Sequence, residues 1–226
     1  MTGPYFVAID FDGTVTDVDI LDAVLQDFAR PEWLEVEKCW EQGSIGSRQC
    51  LETQMSMVDR SLDELLDYID TFAIDETFRD FIAFLDEHGI PYAIMSDGFQ
   101  VFIERLLDNA GLKHVPVYAN LLTEERGKLR THFPYSRTDC DSANCKCAAV
   151  EGLSKGRPLV VIGDGRSDFC LAHKAFHAFT KNKLTDHCHR NDISHTPFCG
   201  FGEITEFLRT MSVPEVNVHT IREERA

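Results

Sequence analysis

Three short runs of unbroken apolar residues, at 5–9, 92–95 and 159–162, constrain the fold more than any other feature, and each runs straight into Asp, Ser or Gly. A strand that is apolar at successive positions is buried on both faces, as happens inside a parallel sheet covered by helices. Helical periodicity separates the runs. It predicts helices over 76–87, stopped by Gly89, over 99–110, stopped by Gly111, from 167 onward, and over 203–211. Further strands are predicted at 115–119 and 177–179, and 121–123 with 128–133 read as a hairpin. Such alternation predicts an α/β fold, a Rossmann-like parallel sheet of right-handed βαβ units. Ligands in these sheets sit beyond the carboxyl ends of the strands.

The stretch 17–73 breaks the alternation. It predicts helices over 17–25, 31–42, 47–57 and 61–72, with Pro31 in a first turn and Ser61 to Glu64 as a capping signature. It holds no convincing strand and reads as a small helical insertion. The expected organisation is a core of 1–16 and 74–212, the insertion at 17–73, and a polar tail at 213–226.

A formal net charge of -16 over 226 residues argues against nucleic acid and anionic membranes as partners. No apolar run approaches the ~18 residues of a membrane span, and the N-terminus lacks a basic leader, so a cytoplasmic location is expected. The eight cysteines then read as free thiols. Cys140, Cys145 and Cys147, with His187 to His189, invite comparison with a zinc site, but their spacing is not that of a zinc knuckle and they read as reduced thiols. Trp33 and Trp40 read as core, and Arg48 as a solvated surface residue.

Three strand ends carry the chemistry. Asp10 and Asp12 flank one residue past the first strand, and an extended chain turns both the same way. Two adjacent carboxylates repel, and a Mg²⁺ ion, which takes hard oxygen ligands, relieves the repulsion. Asp164 and Asp168 are placed to complete that site from a neighbouring strand. The Ser96 hydroxyl and the amides of Asp97 and Gly98 are candidates to hold a phosphoryl oxygen. Lys146 is a candidate for the balancing positive charge, with Lys155 as its rival.

Asp10-Phe-Asp-Gly-Thr, Ile94-Met-Ser-Asp-Gly, Lys146 and Gly163-Asp-Gly-Arg-Ser-Asp resemble, in order and over nearly the whole chain, the four motifs of haloacid dehalogenase superfamily phosphatases. The helical insertion is similar to the type 1 cap of that superfamily, and the hairpin to its phosphoserine-phosphatase-like branch. The resemblance implies Asp10 as nucleophile, Asp12 as acid and base, and Ser96 and Lys146 on the phosphoryl oxygens. It also implies Mg²⁺ held by Asp10, the Asp12 carbonyl and Asp164, with Asp168 in support. Asn144-Cys-Lys-Cys favours Lys146 over Lys155. Asp19 stands where phosphoserine phosphatases hold the substrate's amino group, but 51–55 lacks the arginine expected for its carboxylate, and Arg48 lies only nearby. Cys145-Lys146, Lys183-Leu184-x-x-His187-Cys188 and 197–204 look like the methionine-salvage branch, whose substrate is 2-hydroxy-3-keto-5-methylthiopentenyl-1-phosphate. Gly163 to Cys170 is also similar to phosphocholine and phosphoethanolamine phosphatases. The implied partner is a small phosphomonoester, acted on by a monomer or homodimer. A phosphotransferase or a non-catalytic binding protein is the alternative of another class.

Overall fold

The computed structural model describes residues 3–211; the tail at 213–226 lies outside the described residues. Seven strands form one sheet: β1 (Phe6–Ile9), β2 (Tyr92–Phe99), β3 (Val117–Glu125), β4 (Lys128–His132), β5 (Leu159–Gly163), β6 (His177–Thr180) and β7 (His195–Pro197). Their order is β4-β3-β2-β1-β5-β6-β7, parallel except for the edge strand β4, which is antiparallel to β3. The chain builds outward from β1 through β2 and β3, then returns to β5 on the other side of β1. That reversal opens a crevice at the carboxyl ends of β1 and β5.

Alternate residues of one strand serve two cores. Val7 and Ile9 pack with Phe78, Phe81 and Ile82 of α5 (Phe78–Glu87), Phe102 and Leu106 of α6 (Gln100–Asn109), and Phe201 and Ile204 of α10 (Phe201–Thr210). Phe6 and Ala8 pack on the opposite face with Val150 of α7 (Lys146–Ser154), Leu171 of α8 (Phe169–Ala172), and Leu184 and Cys188 of α9 (Asn182–Arg190). Burial on both faces is what the unbroken apolar runs demand.

Between β1 and α5 lie four helices and no strand: α1 (Ile20–Phe28), α2 (Trp33–Glu41), α3 (Ser47–Met55) and α4 (Leu62–Ile69). Asp19 caps α1 by accepting from the Asp22 N–H, and Ser61 and Glu64 form the reciprocal capping box of α4. These helices bury Val24, Leu25, Met55, Leu65 and Ile69 in the first core, so the segment is fastened to the sheet domain through apolar contacts. One backbone bond adds to this, from the Ser47 N–H to the Asp141 carbonyl at 2.9 Å, and the Asp75 N–H, donating to the Val15 carbonyl at 2.8 Å, ties together the two chain crossings that flank the segment.

Several boundaries differ from expectation. The segments 115–119 and 121–123 are one strand, β3, because Asn120 stays in the ladder and is fully buried. Strand β2 continues through Ser96, Asp97 and Gly98 to Phe99, past its expected end at 95, with a register shift against β3. Helices α7 and α9 and strand β7 were not expected; α7 has no side-chain N-cap, and β7 is three residues long. Trp40 is not core: it is half-buried and lines the crevice. No helix among the described residues is long and apolar enough to cross a membrane.

Candidate active site

A cavity of about 520 Å³ opens at the carboxyl ends of β1, β2 and β5, with α1 to α3 forming its opposite wall. Asp10 leaves β1 and is 6% exposed. Its Oδ1 accepts from the Phe11 N–H at 2.9 Å and pairs with Lys146 Nζ at 2.8 Å. Lys146, at the first position of α7, also donates to Asp168 Oδ1 at 2.7 Å and to Ser167 Oγ at 3.0 Å. Its ammonium is therefore buried between two carboxylates. Burial alone would push its pKa down, but Asp10 and Asp168 overcome this and raise it. Lys155, the rival lysine, is exposed at the end of α7 in a left-handed conformation, away from these groups.

Asp12 turns elsewhere. Its Oδ1 accepts from the Ile20 N–H at 3.0 Å and its Oδ2 from Ser96 Oγ at 3.2 Å. Ser96 Oγ in turn accepts from the Gly98 N–H at 2.8 Å. A side chain at 98 has no room: a Cβ there would lie 2.7 Å from Asp12 Oδ2. Burial, and then the charge of Asp19, push the Asp12 pKa up to about 7.

The Asp97 carboxylate is not free for a ligand, because its Oδ1 accepts from the Asn144 N–H at 2.6 Å. Asn144 Nδ2 holds the Ser96 and Tyr118 carbonyls at 2.8 and 2.7 Å, and Asn120 Nδ2 holds the Asp97 carbonyl at 2.6 Å. These two buried asparagines fix the extended course of β2 through Ser96. Sequence reasoning missed both as positioning residues; the only signal was Asn144 beside the Cys-Lys pair.

Asp10, Asp164 and Asp168 present carboxylate oxygens that all lie within 4.8 Å of one another, the one such trio of acidic or Cys/His donors among the described residues. Burial raises the pKa of Asp10 and of Asp164, and Asp168 raises both further. One ammonium facing three carboxylates leaves negative charge uncompensated. A divalent cation would supply the balance, and an all-oxygen donor set suits Mg²⁺. Gly13 shapes the same spot: its φ is +70°, and a Cβ would lie 2.6 Å from Asp164 Oδ2. Asn182 Nδ2 steadies that oxygen from 3.1 Å. The donor set therefore fits the ion.

Asp19 lies at the cavity wall. It is exposed to the water of the cleft yet ringed by protein, and this partial desolvation, with Asp22 nearby, pushes its pKa up to about 7. Arg48 is exposed and does not line the cavity.

Residues 7–173 match the family model of haloacid dehalogenase-like hydrolases. The protein named 2-hydroxy-3-keto-5-methylthiopentenyl-1-phosphate phosphatase of Exiguobacterium sibiricum is 31% identical over 220 residues, covering 92% of this chain and 97% of its own. Its namesake in Geobacillus thermodenitrificans is 29% identical over 210 residues, covering 90% of this chain and 95% of its own. Among solved structures, a substrate-bound phosphoserine phosphatase superposes with a TM-score of 0.69 at 18% identity, over 92% of this chain and 99% of that one. A phospho-aspartyl intermediate analogue of phosphoserine phosphatase gives 0.67 at 19%, over 91% and 99%. At those identities the structural likeness is one of fold. With a family match that runs from β1 past Asp168, and with the motif residues gathered at one sheet edge, the chain belongs to the haloacid dehalogenase-like hydrolases.

Proposed function

We propose that the chain hydrolyses a small phosphomonoester by way of an aspartyl-phosphate on Asp10, and that its substrate is 2-hydroxy-3-keto-5-methylthiopentenyl-1-phosphate. The observation that carries the mechanism is the separation of the two aspartates. Asp10 faces Lys146, Asp164 and Asp168, whereas Asp12 faces Ser96 and the start of α1. Identical residue types two positions apart thus stand in different surroundings, which is how acid–base and nucleophilic roles are divided.

Both polar partners of the Asp10 carboxylate fall on Oδ1, which leaves Oδ2 to attack phosphorus. Asp12, with its raised pKa, holds a proton near neutral pH and gives it to the departing alkoxide. As a carboxylate it then takes a proton from the water that attacks the aspartyl-phosphate. Splitting the displacement in two lets one site serve both steps. The Ser96 hydroxyl, the main-chain amides at 97 and 98, and the Lys146 ammonium hold the phosphoryl oxygens. Asp97 takes part only through its main chain, since its carboxylate is engaged by Asn144. Asp10, the Asp12 carbonyl and Asp164 would hold Mg²⁺, with Asp168 fixing Lys146 behind them. When bound, the ion neutralises charge on the phosphoryl group and the surrounding carboxylates.

We assign α1 to α4 the role of a cap that closes over the substrate's alcohol, with Asp19 on its rim. The substrate choice rests on the two bacterial relatives and on the lack of a cleft-lining arginine in α3 to meet the carboxylate of phosphoserine. Eight unpaired cysteines accord with a cytoplasmic enzyme, working as a monomer or homodimer.

The test is turnover of p-nitrophenyl phosphate, the methionine-salvage intermediate, phosphoserine and phosphocholine with Mg²⁺. The salvage intermediate is expected to have the highest kcat/KM; a value at or below that of phosphoserine sinks the substrate assignment. EDTA is expected to stop turnover and Mg²⁺ to restore it, and chelator-resistant activity sinks the metal assignment.

A further inference from the structure

The wall of the cavity opposite Asp10 carries chemistry that the hydrolytic roles leave unused. Gln54 of α3 is 1% exposed and lines the cavity. Its Nε2 donates to Glu37 Oε2 of α2 at 2.8 Å, while its Oε1 has no hydrogen-bond partner among the described residues. A buried amide held at one end and unpaired at the other is a fixed acceptor awaiting a donor. Glu37 also lines the cavity, with Asp22 and Asp19 of the α1 end beside it. Two cations face this wall, and one is already committed. Arg166 lies over the Trp40 ring, 5.6 Å from its centroid, and donates to the Glu41 carbonyl at 3.2 Å. Lys183 also lines the cavity, where its charge opposes that of Asp22.

We propose that Glu37 and Gln54 determine specificity at the alcohol end of the substrate, selecting phosphomonoesters whose alcohol part offers hydroxyl or ammonium donors and rejecting those that bear a carboxylate. The phosphate enters at the Lys146 end. The remainder of the substrate then meets a surface that accepts hydrogen bonds and repels anions. Juxtaposed like charges work against a wrong ligand as strongly as paired donors work for a right one. The selection is made at the wall, since the floor recognises only the phosphoryl group. This inference rests on the phosphatase reading above and adds the class of alcohol.

The experiment measures kcat/KM of the full chain with Mg²⁺ for four compounds: p-nitrophenyl phosphate, glycerol 1-phosphate, phosphoethanolamine and 3-phosphoglycerate. The wild type should favour glycerol 1-phosphate or phosphoethanolamine over 3-phosphoglycerate by ~10-fold or more. Which of the two leads tells whether the donor is a hydroxyl or an ammonium. In Glu37→Gln and Gln54→Leu the preference should narrow, mainly through KM, and in Glu37→Lys it should reverse. A wild type that turns over 3-phosphoglycerate as well as the others overturns the proposal. So does a ratio unmoved in all three variants while circular dichroism shows them folded. Failure of every compound, p-nitrophenyl phosphate included, overturns the phosphatase reading itself and this inference with it.

Discussion

The two ends of the cavity are built differently. At the Lys146 end, Asp10, Ser96, Lys146 and Asp168 are each buried and fixed by neighbours from other elements gathered at the sheet edge. At the α1–α3 end, Asp19, Asp22 and Glu41 are exposed to the cleft, and the buried lining residues are Cys50, Leu51 and Gln54 of α3. The central strands of the sheet and the turns that leave them hold the first end to one geometry; helices packed over its edge hold the second. An end made of sheet suits chemistry that cannot tolerate displacement, and an end made of helices suits choosing among substrates. Substitutions at the first end should therefore depress every substrate alike, and those at the second should reorder them.

The sharpest way to break this comparison is Asp10→Asn. Loss of the proposed nucleophile is expected to lower kcat by ~10⁴-fold or more for all substrates, with no phosphorylated protein after rapid quench. Substantial residual turnover, or an acid-stable phosphoprotein in the variant, would remove Asp10 from its role. Asp12→Asn should come next, at ~10²–10⁴-fold in kcat, because a general acid and base contributes about that much. It should also flatten the pH–rate profile. If Asp12→Asn changed the ranking of substrates without lowering kcat, Asp12 would belong to the selective end.

Lys146→Ala tests how firmly the first end is held. It leaves Asp10 and Asp168 buried and unpaired, and breaking a buried ion pair on one side costs about 3–5 kcal/mol. Urea unfolding of the metal-free protein measures this loss. A cost below about 1 kcal/mol would mean that the carboxylates rearrange or protonate freely, contrary to a rigid floor. By contrast, Ser61→Ala at the N-cap of α4 should cost about 1 kcal/mol and leave the kcat ratios among substrates as they are.

The same division explains what could be read from the sequence. Asp10, Asp12, Ser96, Asp164 and Asp168 each follow an apolar run, so local pattern alone places them at one sheet edge. Lys146 has no such flank; resemblance located it, and the helix it begins lacks a capping side chain. Asn120, Asn144 and Asn182 were missed because asparagine is an ordinary turn residue. Only the folded chain shows two of them buried and bonded to β2, and the third holding Asp164. Residues 96–98 lay past the expected end of their strand, yet partners from β3 and the loop before α7 keep them extended. The wall was least legible of all. Glu37, Gln54 and Trp40 sit on helices whose mutual packing the sequence does not specify, and Trp40 was misplaced in the core on hydrophobicity alone.

A group remote from both ends gives the smallest expected effect and a sign that separates it from them. His177 of β6 is 8% exposed, with Nδ1 2.9 Å from Ser194 Oγ and Nε2 3.0 Å from Thr196 Oγ1. Its ring also stacks on Phe207. Burial, and then His195, lower its pKa from 6.5. The folded state therefore binds the proton less readily than the unfolded chain. This contribution to stability is present above about pH 6.5 and is lost progressively as pH falls below that value. The cleft acids run the other way: the raised pKa of Asp22, about 6, and of Asp12, about 7, favour the protonated folded state as pH falls. The net slope of the metal-free protein mixes these opposing terms, so the comparison is made against His177→Gln, which keeps hydrogen-bonding capacity but cannot titrate. Between pH 7.5 and pH 5.5 the wild-type urea midpoint should fall relative to that of the variant. If the two midpoints move in parallel, His177 is not excluding its proton, and the pH dependence belongs to other groups.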